Sequence, residues 1–221
     1  MRKRISLKTR RPDLSREEFR AHYEGVHVPL GLTFIEHFHW RRYRRNHVLS
    51  CRGAPIGFDC YAEFWVDQDD DDSALSEFVK SPEFQVLNDD DERFLDVRQR
   101  ASFDVQETPL VGSTDDRPGG VTLGVALRDG ATPTDSGKAV AARLVDSLGP
   151  HVVAATLDVR LGGAPTGPPP AAPFDSLLRL SLEGETPAKL DPSRFGGDRC
   201  AVLVLDPVET PPELLDTGPD A

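Results

Sequence analysis

The chain has 221 residues, 38% of them hydrophobic, so it can bury one large core or two of about 100 residues each without staples. Its three cysteines, Cys51, Cys60 and Cys200, stand far apart and in no CxxC pairing, which argues against a disulfide framework or a thiolate zinc site and fits a cytoplasmic setting. A net charge of −11 disfavours nucleic acid as a partner, and no apolar run approaches the roughly 18 residues of a membrane span.

The charge is uneven. Residues 1–52 hold 13 of the 26 Lys and Arg against five acids, while "DQDDDD" (67–72) and "DDDE" (89–92) concentrate the negative charge. Such acidic runs are expected as solvated loops or helix starts. The basic start "MRKRISLKTRRPDLS" is followed by no apolar h-region, so neither export nor membrane insertion is expected.

In chain order, "RISLKTR" (4–10) alternates as a strand does. "PDLSREEFRAHYEGV" (12–26) follows as a helix, with Ser15 as N-cap, Glu18 at the capping-box position, and Phe19, Tyr23 and Val26 at helical spacing. The helix should end at His27, ahead of Pro29. "HWRRYRRNHVLS" (39–50) and "DCYAEFWV" (59–66) read as strands around the loop "CRGAPIGF" (51–58). A second helix, broken at Pro82, spans "SALSEFVKSPEFQVLNDDDERFLD" (73–96), and "RASFDVQE" (100–107) closes as a strand. The order βαββαβ is the ferredoxin-like plan, here over residues 1–108.

"TPLVGSTDDRPGG" supplies a linker over 109–120, and residues 121–207 repeat the plan in degraded form. "VTLGVALRDGATPTDSGKAVAARLVDSLG" (121–149) gives strand, loop and helix, with Asp135 as the N-cap matching Ser15. "GAPIGFD" (53–59) is echoed by "GAPTGPPPAAPFD" (163–175), "SLLRLSL" (176–182) stands where "CYAEFWV" stood, and "RCAVLVLDP" (199–207) is the last strand. Residues 208–221 read as a flexible acidic tail. The expected class is α+β, with two tandem ferredoxin-like units packed sheet to sheet as a dimeric α/β barrel within one chain. Further homodimerisation of such a chain stays open.

The duplication marks out the first half. Aligning Ser15 with Asp135 sets Phe19, Tyr23 and His27 against Ala139, Arg143 and Ser147; aligning Phe58 with Phe174 sets Glu63 and Trp65 against Arg179 and Ser181. A single pocket needs its polar groups in only one half.

The blocks "RRPDLSREEFRAHYEGVHVPL", "RRYRRNHVL", "FDCYAEFWVD" and "FVKSPEFQVLNDDDERFLDVRQRASFDVQE" resemble, in order and spacing, those of the EthD family of the dimeric α/β-barrel superfamily, over residues 1 to about 108. The resemblance implies a small protein of degradative or polyketide-type metabolism. Its relatives include cofactor-independent cyclases, dehydratases, decarboxylases, lactone isomerases and oxygenases. The family's helix-ending histidine falls on His27 and its second-strand histidine on His47. A tandem departs from the family's usual homodimer and favours one site over two.

The chemistry can also be read from the residues. His27 lies four residues after Tyr23, so both leave one side of the helix near its C-terminal end. There the macrodipole favours imidazolium and burial favours imidazole, a balance suited to a general base or acid. Tyr23 is a candidate oxyanion donor, or a core tyrosine with a satisfied hydroxyl. Alternation groups His39, Arg41, Tyr43, Arg45 and His47 on one strand face, with His47 a second acid/base candidate. Asp59, Tyr61, Glu63 and Trp65 share a face of the next strand, where a carboxylate could orient a histidine. Phe19, Tyr43, Asp59, Tyr61, Glu63 and Trp65 are therefore the candidate substrate contacts. His37 and His39 form an H-x-H pair without further ligands, so no metal is expected, and no axial haem ligand stands out.

Three functional classes follow. The first is a cofactor-independent cyclase, dehydratase or related lyase acting on a small aromatic or polyketide-like molecule, with a cofactor-free monooxygenase as its mechanistic neighbour. The second is a non-catalytic binder of a pathway intermediate. The third, an RNA-recognition module, shares βαββαβ, but "CYAEFWV" lacks the basic-aromatic signature.

Overall fold

An antiparallel sheet with helices on one face still needs cover on the other. In the computed structural model, which describes residues 1–67, 73–112, 121–128, 133–162, 174–184 and 197–216, eight strands provide that cover by closing into a barrel. The described elements are β1 Arg2–Lys8, α1 Arg16–His22, a π-helical turn Tyr23–His27, α2 Val28–Leu32, β2 Arg42–Gly53, β3 Cys60–Val66, α3 Ser73–Phe78, α4 Pro82–Phe94, β4 Ala101–Val111, β5 Val121–Leu127, α5 Pro133–Leu148, β6 Val152–Arg160, β7 Ser176–Leu182 and β8 Cys200–Glu209. Around the barrel the order is β1-β3-β2-β8-β5-β7-β6-β4, antiparallel at every seam. The fold is α+β.

The registers of the two halves correspond. Lys8 pairs with Cys60 and His47 with Cys60 in the first half; Leu127 pairs with Ser176 and Val159 with Ser176 in the second. Lys8, Tyr43 and His47 thus occupy the positions of Leu127, Ala155 and Val159. Phe58 and Phe174, two residues ahead of those strands, meet in the barrel interior with ring centroids 6.0 Å apart.

Alternation sends side chains to two different cores. Ile5, Leu7, Tyr61, Phe103, Leu177 and Leu203 come from both halves and fill the barrel. Outside it, Phe19, Tyr23, Tyr43, Cys60 and Phe94 pack the first-half sheet against its helices. The second-half sheet lies under α5 through Leu123, Leu144, Leu157 and Leu180. There the helix sits tightly on the strands: a Cβ on Gly137 would meet Leu157 Cδ1 at 2.8 Å.

Several boundaries differ from expectation. β2 starts at Arg42 rather than His39 and runs to Gly53, because pairing with β8 extends it through the expected loop. β4 reaches Val111 in the expected linker by pairing with β6. Asp135 lies in the first turn of α5, not at its N-cap. The expected loose tail is folded as far as it is described: Thr210 N–H donates to the Tyr43 carbonyl, and Leu215 is buried in the first-half core. Residues 68–72, 163–173 and 217–221, which include most of "DQDDDD" and the proline-rich insertion, lie outside the described residues.

One end of the barrel interior is charged. Lys3 Nζ meets Glu63 Oε1 at 2.6 Å, Glu107 Oε1 at 2.9 Å and both Asp158 oxygens at 2.8 Å, beside the Trp65 ring at 4.7 Å. Asp158 belongs to β6, so one cation ties strands of both halves. Burial pushes the Asp158 carboxyl up, Lys3 draws it down and Glu63 pushes it up again, leaving it above the ordinary aspartate range. Between the ordinary value and the raised one, the unfolded chain is ionised while the barrel keeps its proton. This group's contribution to stability therefore declines as pH rises through that window. Lys3→Met strands three carboxylates and should cost about 3–5 kcal/mol in urea unfolding at pH 7. Asp158→Asn should cost less, and the reverse order would contradict this account.

Candidate active site

The site begins with a helix that gains a residue. Ser15 and Glu18 form the reciprocal capping box that starts α1, as its sequence implies, a device worth about 1 kcal/mol. The helix does not stop at His27. It widens to a π-helical turn over Tyr23–His27, closed by Val28 N–H on the Tyr23 carbonyl, and continues as α2 to Leu32. The extra residue rotates the register, so Val26 points to solvent, 44% exposed, and His27 takes the inward place expected for it. The wider turn also seats Pro29, whose ring would strike the carbonyl four residues back in an unbroken α-helix.

Helix α4 supplies what His27 faces. Ser81 caps it ahead of Pro82, the expected break, and Leu87, Asp90, Asp91 and Phe94 are its buried residues. Asp90 and Asp91 belong to the run expected to be solvated. Asp90 instead accepts His22 Nε2–H at 2.9 Å and His27 Nδ1–H at 3.0 Å. A carboxylate only accepts, so the His27 proton sits on Nδ1 and Nε2 carries the lone pair. Nε2 looks toward Asp91 Oδ1 at 3.7 Å, an atom with no hydrogen-bond partner among the described residues. The other Asp91 oxygen accepts from Arg100 Nη1 at 2.8 Å. Two acceptors thus face one another, an arrangement suited to a substrate proton between them.

Burial lowers the His27 pKa from its ordinary value; Asp91 raises it, Lys8 lowers it, and the Asp90 hydrogen bond raises it. The net direction is down, so the imidazole is neutral at neutral pH. Its neutrality also has a stability consequence: below the ordinary histidine value the unfolded chain takes up a proton that the fold resists, and this contribution is lost as pH falls.

His27 and Asp91 open on a cavity of about 460 Å³ between the outer face of the first-half sheet and its helices. Tyr43 lines it; Tyr23 stands behind, fully buried, its hydroxyl 3.2 Å from that of Tyr43. Burial pushes both phenols above their ordinary values, so both remain donors.

The other expected residues are elsewhere. Tyr61, Glu63 and Trp65 do share a face, but it is the barrel interior, across the sheet from His27, so Glu63 orients no histidine. Asp59 pairs with Arg10 and Arg16 below β3. His47 donates Nε2–H to Glu24 at 2.6 Å and borders, with Phe19 and Asp59, a separate hollow of about 190 Å³. Burial opposes ionisation of Glu24, but hydrogen bonds from His47 and Arg45 bring it down to about 2. His37 stacks on Phe78, centroids 4.3 Å apart, in a short 3-10 helix, and His39 adopts a φ of 51°, so no strand aligns the H-x-H pair. Among the described residues, no three His, Cys, Asp or Glu are grouped to hold a metal, and no helix is long and apolar enough to cross a membrane.

The first half is therefore an α+β barrel segment bearing a histidine–carboxylate pair in a cavity between sheet and helices. Residues 11–98 match the family model of the EthD domain. No curated protein matches the sequence. Among solved structures, an anthrone oxidase-like protein shares 9% identity at a TM-score of 0.49, covering 94% of this chain and 92% of its own. A candidate monooxygenase from Lactobacillus acidophilus NCFM shares 6% at 0.45, covering 95% of each chain. At such identities the chemistry has to come from the cavity itself.

In an NMR titration His27 should change protonation below the ordinary 6.5. Lys8→Met should move that midpoint up and Asp91→Asn should move it down. Shifts of the opposite sign would contradict the electrostatics of the site.

Proposed function

We propose that the chain is a cofactor-independent small-molecule enzyme, a cyclase, dehydratase or related lyase, in which His27 moves protons on an aromatic or polyketide-like intermediate. The observation that carries this reading is the His27 ring in the cavity wall, held by Asp90 at Nδ1 and facing Asp91 with Nε2. His27 Nε2 removes a proton from an acidic C–H of the substrate, and the C–H electrons pass into an enolate. Asp90 stabilises the imidazolium that results. Tyr43, backed by Tyr23, donates to the enolate oxygen. When the enolate collapses, a C–O bond breaks at the β-carbon, and the imidazolium returns its proton to the departing hydroxide, which leaves as water. Ring closure uses the same proton inventory, with the enolate carbon attacking a carbonyl.

The finer architecture belongs to the same proposal. The chain reads as a tandem of two ferredoxin-like βαββαβ units whose second member has lost its pocket. Matching strand registers support this, as do the apolar residues Leu127, Ala155 and Val159 at the positions of Lys8, Tyr43 and His47. The close seat of α5 on Leu157 is in keeping with this reading.

The test is mass spectrometry of metabolite extract from the source organism deleted for this protein, incubated with wild type or His27→Ala under air and under nitrogen. A product should form in both atmospheres without added cofactor, at a rate lower by about 10²–10⁴-fold with His27→Ala. Product formed only under air would replace elimination by cofactor-free oxygenation. A ligand retained by the protein without conversion would make it a binder.

A further inference from the structure

The walls of the His27 cavity carry the opposite charge to the chain. Its described lining includes four cations, Arg2, Arg4, Lys8 and Arg100, and one carboxylate, Asp91, in a protein of net charge −11. A partly enclosed cleft of one sign focuses its field and concentrates ligands of the other. Most of these cations are already engaged. Arg4 Nε donates to Asp104 at 2.9 Å, Arg100 holds Asp91 at 2.8 Å, and Arg2 also has a partner.

Lys8 differs. Among the described residues its ammonium has no hydrogen-bond or ion-pair partner, although its charge is felt at His27. The corresponding position of the second half is Leu127, so neither the strand nor its pairing requires a cation there. Beyond the polar end the cavity wall is aromatic: Phe64 lies 4.5 Å from Trp40 and is stacked on Tyr43 at 4.8 Å, centroid to centroid.

We infer that this cavity selects a planar aromatic acid, with the carboxylate on Lys8 and the ring along Trp40 and Phe64. The inference rests on the reading of the cavity as the reaction site and adds its substrate class. Lys8 then determines specificity: it fixes one end of the ring system so that an acidic position of the substrate falls beside His27 Nε2.

The test uses 1-hydroxy-2-naphthoate and 1-naphthol as probes, titrated by calorimetry into the full chain and into Lys8→Met and Lys8→Arg. A charge-assisted hydrogen bond of ordinary strength predicts that wild type prefers the acid by about tenfold or more. Lys8→Met should lose most of that preference, Lys8→Arg should keep most of it, and raising salt should erode it in wild type. Equal binding of both probes by wild type, or an undiminished preference in Lys8→Met, overturns the inference and leaves the cavity reading intact. Failure of both probes to bind wild type overturns the two together.

Discussion

A carboxylate taken out of water must be surrounded by donors, and Asp90 meets that demand with imidazole N–H groups from a different helix. That requirement organises the first half. It locks α4 to the α1 segment, orients the His27 ring, fixes its tautomer and leaves Nε2 as the only lone pair the ring can offer. The π-helical turn ends at His27, the residue that meets Asp90. Without the extra residue Val26 would lie closer to the inward face that Phe19 and Tyr23 share.

The closed barrel joins two sets of strands whose registers correspond. Closing the sheet gives each half an inner face shared with the other, and the helices cover much of the outer face. In the first half the helices and the sheet enclose a cavity with a charged end and an aromatic wall. In the second, α5 packs closely onto the strand leucines. The inner face joins the halves through Lys3 and its three carboxylates, while the outer face of the first half carries the His27 cavity.

Much of this was legible in the sequence. Alternation located the strands, Ser15 and Glu18 located the start of α1, and the unequal halves singled out His27. Alternation also grouped Tyr43 with His47 and Tyr61 with Glu63 and Trp65, but it could not say which group faced the helices. In a closed barrel both faces are buried, and both carried charge: arginines on one face of β2 meet Glu209 inside the barrel, while Arg45 on the other meets Glu24. Asp90 and Asp91 were hidden in an acidic run that composition reads as solvated. Their signal was spacing, since they fall between Leu87 and Phe94 on a helical stripe. The π-helical turn left no local signature beyond Gly25 and Pro29, and the passage of the helix through Pro29 depends on contacts remote in sequence.

The central claim is that His27 is a neutral base whose Nδ1 proton is held by Asp90. Long-range proton–nitrogen correlation spectra of the uniformly nitrogen-labelled protein at pH 7, assigned with His27→Ala, test this directly. The account predicts a protonated Nδ1 and an unprotonated Nε2 for this ring. An imidazolium, or a ring protonated at Nε2 alone, would contradict it.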